Sequence, residues 1–234
     1  MYEIPYFIIF SFFALLFMIL KAIKEEELQF ENNLLSKLIP FSTVIKAVPA
    51  GLSVIFVLLN GNESIYLYAA LGLALLFCMF GDIGMEKGLI PGLPLFLVGQ
   101  VLFIVAFLGH SLTLRVNGES ILITTIVTLV MIIYVLFILR YLESSEKGLG
   151  EFRVPVIIYC AFLSGMFIST ILLWMNTTMT FALVAIGGAF FVISDSIIAI
   201  REFHHPIKNG VLKVMSTYHA AIFLLSLSSI LQFA

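Results

Sequence analysis

Apolar residues fill this chain in eight uninterrupted runs, near residues 4–20, 38–59, 64–80, 91–114, 120–140, 154–173, 180–200 and 211–232. Most match the roughly 20 residues that an α-helix needs to cross a hydrocarbon core about 30 Å thick. Strands of a membrane barrel would alternate apolar and polar positions instead. Lipid offers the backbone no hydrogen-bond partners, so continuous apolar runs of this length predict helices. The pattern therefore predicts an all-α polytopic membrane protein, a bundle of about eight transmembrane helices forming one domain over residues 1–234. The longest connections, Lys21–Lys37 and Tyr141–Arg153, leave no room for a second domain. The first run is preceded by Glu3 and by no basic stretch, which favours a spanning helix over a cleaved signal peptide.

Composition sharpens this. Of 234 residues, 62% are hydrophobic and only 11% are charged, with a mean hydropathy of +1.16. Soluble domains carry roughly 25% charged residues. The net charge of −2 and the lack of a basic stripe argue against a nucleic-acid partner. Cys78 and Cys160 lie inside apolar runs, so they imply no disulfide framework.

The few charges are distributed unevenly. The odd-numbered loops hold ten of the twelve Lys and Arg residues, from Lys21 to Lys213, whereas the even-numbered loops hold only Arg115 and Lys46 lies within a run. The positive-inside tendency then places the odd loops in the cytoplasm and both termini on the opposite side. A weak internal echo accompanies this. The segment Ala74–Asp82 resembles the segment Gly187–Asp195, 113 residues later, and the same offset relates Lys46 to Tyr159. Four helices separate the two, so a repeat would be parallel, in a 4+4 arrangement.

Polar side chains within the runs are the candidates for chemistry. An ionisable group there costs roughly 2.5–3.5 kcal/mol on insertion scales, so it faces the protein interior and has a partner. Lys46 lies about 12 Å into the second run and Gln100 about 13 Å into the fourth, at 1.5 Å per residue. Tyr159 stands five residues into its run, Asp195 about one and a half turns before its run ends, and Tyr218 and His219 seven and eight residues into theirs, while Asp82 lies at the end of the third helix. All seven fall in the half next to the odd loops, while His110 lies near the other end. Structural alternatives stay open for each: Lys46 as a counter-ion for either aspartate, Asp82 as a helix-end residue, Gln100 and Tyr159 as interhelical hydrogen-bond formers. His204 and His205 read as solvated loop residues.

Two aspartates in a half-buried polar pocket suit general acid and base work. Burial favours the neutral acid and a nearby ammonium favours the carboxylate, which divides the two roles. A mixed metal set of Asp82, Asp195 and His219 is the weaker reading, and no phosphate loop, His-Glu-x-x-His pair or nucleophile elbow is present. No metal and no cofactor is expected. The basic loops suit an amphiphile with a phosphate headgroup.

Taken together, these positions resemble a known family. Lys46 with Pro49, Gly81-Asp82, the run from Gly99 and Gln100 to Phe107, Tyr159 with Met166, Ser194-Asp195-Ser196 and Thr217-Tyr218 are similar, in order and spacing, to the lysoplasmalogenase family of eight-helix membrane proteins. The resemblance covers helices 2 to 8. It implies hydrolysis of the vinyl ether bond of lysoplasmalogens to a fatty aldehyde and a glycerophospho-alcohol, with a lysophospholipid as substrate. It implies Asp82 and Asp195 as the acid/base pair, and Lys46, Gln100, Tyr159, Tyr218 and His219 around the substrate. The chain departs from the family where His often stands in place of Gln100, Tyr in place of Phe103, Gln near Ile222, and Pro directly after the lysine. The rival function is a transporter or binding protein for a small amphiphile, which predicts a polar path reaching both faces. A structural subunit without chemistry leaves the one-sided polar cluster unexplained.

Overall fold

A computed structural model describes residues 3–25, 37–60 and 65–230. Among them are eight helices long and apolar enough to cross a membrane. They are α1 (Glu3–Glu25), α2 (Ser42–Asn60), α3 (Ile65–Lys87), α4 (Leu89–Thr113), α5 (Gly118–Glu143), α6 (Arg153–Met175), α7 (Ala182–Phe203) and α8 (Gly210–Ser226). Short 3-10 turns precede α2, α6 and α7 and follow α8. The protein is thus an all-α, multi-pass membrane protein, as the eight runs predict. Residues 26–36 of the charged stretch, residue 64 and residues 231–232 of the last run lie outside the described residues.

Two helix ends run past their apolar stretches. The third run was expected to end at residue 80, but α3 continues for two further turns to Lys87, and α1 continues to Glu25. The added turns of α3 contain Gly81, Asp82, Gly84 and Glu86, which lower local hydropathy yet stay helical because the interior accepts them. Gly81, Asp82 and Gly84 are buried there. A tight corner follows, where Gly88 takes a φ of 130° that side chains rarely adopt. A Cβ on Gly84 would lie 2.8 Å from the Pro91 carbonyl oxygen and 2.9 Å from the Gly92 Cα, so this glycine sets how closely α3 and α4 approach.

Starts and interruptions follow local chemistry. Asn117 caps α5, its side chain accepting from the Ser120 amide while the Ser120 hydroxyl accepts from the Asn117 amide. Pro49 interrupts the hydrogen-bond ladder of α2 one turn beyond Lys46.

Seven helices close a ring, in the order α1, α2, α3, α4, α6, α7, α8, with α8 packing on both α1 and α2. Phe17, Leu71, Leu75, Phe103, Phe107, Phe191 and Leu173 fill its core. Helix α5 lies outside the ring, against α6 and α7. Most of its surface is exposed apolar side chain, from Ile121 to Phe137, which suits lipid and not water. The pairings also follow the repeat. Contacts α1–α2, α2–α3 and α3–α4 recur as α5–α6, α6–α7 and α7–α8, and α4–α6 recurs as α8–α2. The symmetry fails at two places among the described residues: α1 packs on α8 whereas α5 has no comparable interface with α4, and α5 packs on α7 whereas α1 has no comparable interface with α3.

Candidate functional site

Helices α3 and α7 bring the two aspartates into the half of the bundle nearest the odd-numbered loops. Asp82 is 1% exposed, and its Oδ2 accepts a hydrogen bond of 2.8 Å from the Tyr218 hydroxyl. Its Oδ1 lies 3.8 Å from Lys46 Nζ and has no hydrogen-bond donor among the described residues. Lys46 is itself shared, at 3.5 Å from Glu86 Oε1, and Lys21 Nζ donates to Glu86 Oε2 at 3.0 Å. Charges therefore alternate along Lys21, Glu86, Lys46 and Asp82. Ions out of water are tolerated when neighbours of opposite sign and hydrogen bonds replace hydration.

Asp195 has a different setting. The Tyr159 hydroxyl donates to its Oδ2 at 2.5 Å, and Gln100 Nε2 donates to the same oxygen at 3.4 Å. Gln100 is fully buried behind it. Among the described residues no cation lies within ion-pair distance of Asp195, and both hydrogen-bond donors to it reach Oδ2 rather than Oδ1. Next to it, the Ser196 hydroxyl meets the Tyr134 hydroxyl of α5.

The arrangement follows the 113-residue offset in part. Each aspartate has one partner from the preceding helix of its own half, Lys46 on α2 for Asp82 and Tyr159 on α6 for Asp195, at matching offsets. Each has a second partner from the last helix of the other half, Tyr218 on α8 for Asp82 and Gln100 on α4 for Asp195.

Two chambers meet at Asp195. A polar one of about 190 Å³ lies between α1, α2, α3, α7 and α8, lined by Lys21, Lys46, Asp82, Glu86, Asp195, Arg201 and Tyr218 with apolar neighbours. An apolar one of about 60 Å³ lies between α4, α5, α6 and α7, lined by Leu93, Tyr134, Ile138, Tyr159, Leu163 and Phe203 among others. Met85, Phe96 and Ile198 separate them, and each of these side chains touches both. Asp82 lines only the polar chamber, whereas Asp195 lines both.

Of the seven residues singled out in sequence, six converge in two groups, each aspartate held by hydrogen bonds and Asp82 also by the Lys46 ion pair. His219 does not. One step round α8 from Tyr218, it faces α1, with its ring edge-on to Phe10 and Phe17 at 6.3 Å between centroids. The mixed set Asp82, Asp195 and His219 therefore does not converge, and among the described residues no three His, Cys, Asp or Glu side chains group as metal ligands. His204 stacks on Tyr141 at 4.2 Å and His205 is exposed. Sequence reading missed Glu86, Lys21 and Arg201, which it assigned to loops. A signal existed for Glu86: it stands four residues after Asp82, hence on the same helical face.

With this geometry in view, the profile of the YhhN family matches residues 41–229. The chain belongs to the YhhN family. The match spans α2 to α8, so the YhhN stretch contains both aspartates and every polar chamber residue except Phe17 and Lys21 of α1. Comparison with curated proteins and with solved structures gives no match. Within a YhhN chain, then, the arrangement offers two carboxyl groups of unlike surroundings beside a polar space large enough for several waters and an apolar one.

Proposed function

We propose that this YhhN protein hydrolyses the vinyl ether bond of an alkenyl lysophospholipid, releasing a fatty aldehyde and a glycerophospho-alcohol. The YhhN family includes lysoplasmalogenases, which fits the resemblance carried by the site motifs. The observation that carries the reading is Asp195 at the junction of a polar and an apolar chamber, with Asp82 lining the polar side. A single-chain amphiphile has its enol ether at the corresponding junction, between chain and headgroup.

The chemistry needs an acid, a base and one water. Asp195 is the acid. Its Oδ2 already accepts from Tyr159 and Gln100, and it lacks a cation partner, so the proton belongs on Oδ1. Transfer of that proton to the β-carbon of the enol ether turns the C=C bond into a C–H bond and an oxocarbenium ion. Asp82, beside Lys46, remains a carboxylate, steadies the cation and takes a proton from the attacking water. The hemiacetal then collapses: its hydroxyl proton passes to the Asp195 carboxylate, the C–O bond to glycerol breaks, and the glycerol oxygen takes the proton held by Asp82. One water is consumed and neither aspartate is changed.

The test is aldehyde release from alkenyl lysophospholipid by the purified protein in detergent, with Asp195→Asn alongside. The wild type is expected to release aldehyde, and the variant to lose at least about 100-fold, the lower range for removal of a general acid. No aldehyde from folded wild type across headgroups would sink the hydrolase. The transporter alternative predicts polar lining continuing to the other end. There the bundle instead closes on Tyr6, whose hydroxyl is hydrogen-bonded to Ser53 and Ser226 at 2.8 and 2.7 Å. The loop asymmetry supports an orientation with both chambers near the cytoplasmic surface.

A further inference from the structure

The two chambers are made from equivalent pieces of the two halves, yet their chemistry differs. At the 113-residue offset, Lys21 of the polar chamber corresponds to Tyr134 of the apolar one, Lys46 to Tyr159, and Glu86 to Ala199. Apart from the aspartates, each of these charged positions in the first half has an uncharged counterpart in the second. Charge is therefore segregated into one chamber rather than shared by a common plan.

The polar chamber also has one cation that the repeat does not predict, since Arg201 falls at the offset of Gly88. A Cβ on Gly210 would lie 3.2 Å from Arg201 Cδ, so the bare glycine lets the arginine stem lie across the start of α8. That helix start has no side-chain cap, and Val211 of its first turn lines the same chamber. Helix N-termini carry partial positive charge and free amides that suit anions. Arg201 otherwise pairs with its neighbour Glu202 at 3.1 Å, where both side chains are partly exposed and such a pair holds weakly.

The charges on the lining decide the sign of the ligand. Lys21, Lys46 and Arg201 line the chamber together with Asp82, Glu86 and Asp195, and the two lysines pair directly with Glu86 and Asp82. An acid/base pair keeps one aspartate protonated, which leaves one positive charge in excess. The spacing also fits. Arg201 is six residues beyond Asp195 on α7, a rise of about 9 Å. In an alkenyl lysophospholipid six bonds join the enol-ether carbon to phosphorus, roughly 7 Å when extended at ordinary bond lengths.

We propose that Lys21, Arg201 and the N-terminus of α8 form a subsite for the phosphate of an amphiphile whose chain occupies the apolar chamber. This deepens the reading of the chambers as one amphiphile site. The phosphate places the bond to be broken, and the seam between α4 and α5, where the α1–α8 contact has no counterpart, is where the chain passes to lipid.

The test uses ligands that are not hydrolysed, so it stands even if no aldehyde is ever released. Affinity of the full-length protein in detergent is measured for a saturated alkyl lysophospholipid and for the neutral alkylglycerol of equal chain length. The wild type is expected to bind the phosphorylated lipid at least tenfold more tightly, and Lys21→Gln/Arg201→Gln to bind both with the neutral lipid's affinity. If that double variant does not fold, Arg201→Gln alone is expected to lose at least threefold for the phosphorylated lipid. Glycerol 3-phosphate is expected to displace the lipid only in large excess, and displacement at equal concentration would overturn the lipid as its source. Equal wild-type affinity for the two lipids, or a preference surviving in the folded variants, would overturn the subsite.

Discussion

Lys46 is 5% exposed and held between Asp82 at 3.8 Å and Glu86 at 3.5 Å. Removing one partner of such a buried pair costs about 3–5 kcal/mol, because the other charge is left without compensation. Lys46→Met is therefore expected to lose that order of stability, read as a lowered melting temperature in detergent. Lys46→Met/Asp82→Asn is expected to regain most of it, since Tyr218 still bonds the amide and Glu86 keeps Lys21. A single variant as stable as wild type would show that the pair contributes nothing to folding. At this scale the sequence was most informative where a polar residue interrupts an apolar run, which is how Lys46, Asp82, Gln100, Tyr159, Asp195 and Tyr218 stand out. It was least informative at helix ends. Lys21, Glu86 and Arg201 look like loop charges until the helices around them extend and turn them inward. His219 packs apart from both aspartates, because depth along a helix is legible from spacing, whereas the face it presents depends on packing.

The corner between α3 and α4 positions Asp82 and Glu86, and its geometry depends on Gly84. There a Cβ would meet backbone, at 2.8 Å from the Pro91 carbonyl oxygen, and a backbone neighbour cannot swing aside as a flexible side chain can. Overpacking of this kind costs about 1–3 kcal/mol. Gly84→Ala is expected to melt several degrees lower and to lose activity, as Asp82, half a turn away on the same helix, is displaced from its partners. Gly109→Ala is the matched control. Nothing lies within 4 Å of its Cβ position, so a helix-favouring change there is expected to be neutral or slightly stabilising. If both variants behaved alike, the close approach would not be what sets this corner. Element number and type were legible because lipid allows so few ways to satisfy a backbone. The extra turns of α3 and α1 were not, because hydropathy falls wherever a helix carries polar groups into the interior. The repeat was legible as a bare spacing of 113 residues between aspartates. What it organises, a crossed pair of hydrogen-bonded carboxyls, needed the helices in place.

For the whole molecule, both chambers lie toward one end, so its orientation decides which leaflet supplies the substrate. Ten Lys and Arg residues lie at that end, against Arg115 alone at the loop ends opposite. Lys and Arg near spanning helices are retained on the cytoplasmic side, which predicts chambers served by the inner leaflet. The asymmetry survives the longer helices, because Lys87, Arg140, Arg153 and Arg201 simply move from loops to helix ends at the same face. Glu146, between α5 and α6, and Glu119, at the start of α5, are exposed and report opposite faces. In intact cells a membrane-impermeant maleimide is expected to label Glu119→Cys and to leave Glu146→Cys unlabelled until the membrane is opened. The native thiols add little background, since Cys78 is buried and Cys160 half-buried. The reverse pattern would turn the bundle over and place the chambers under the outer leaflet. The hydrolase would then act on lipid arriving from outside the cell, and the phosphate subsite would draw on that supply instead of on the cell's own lysolipids.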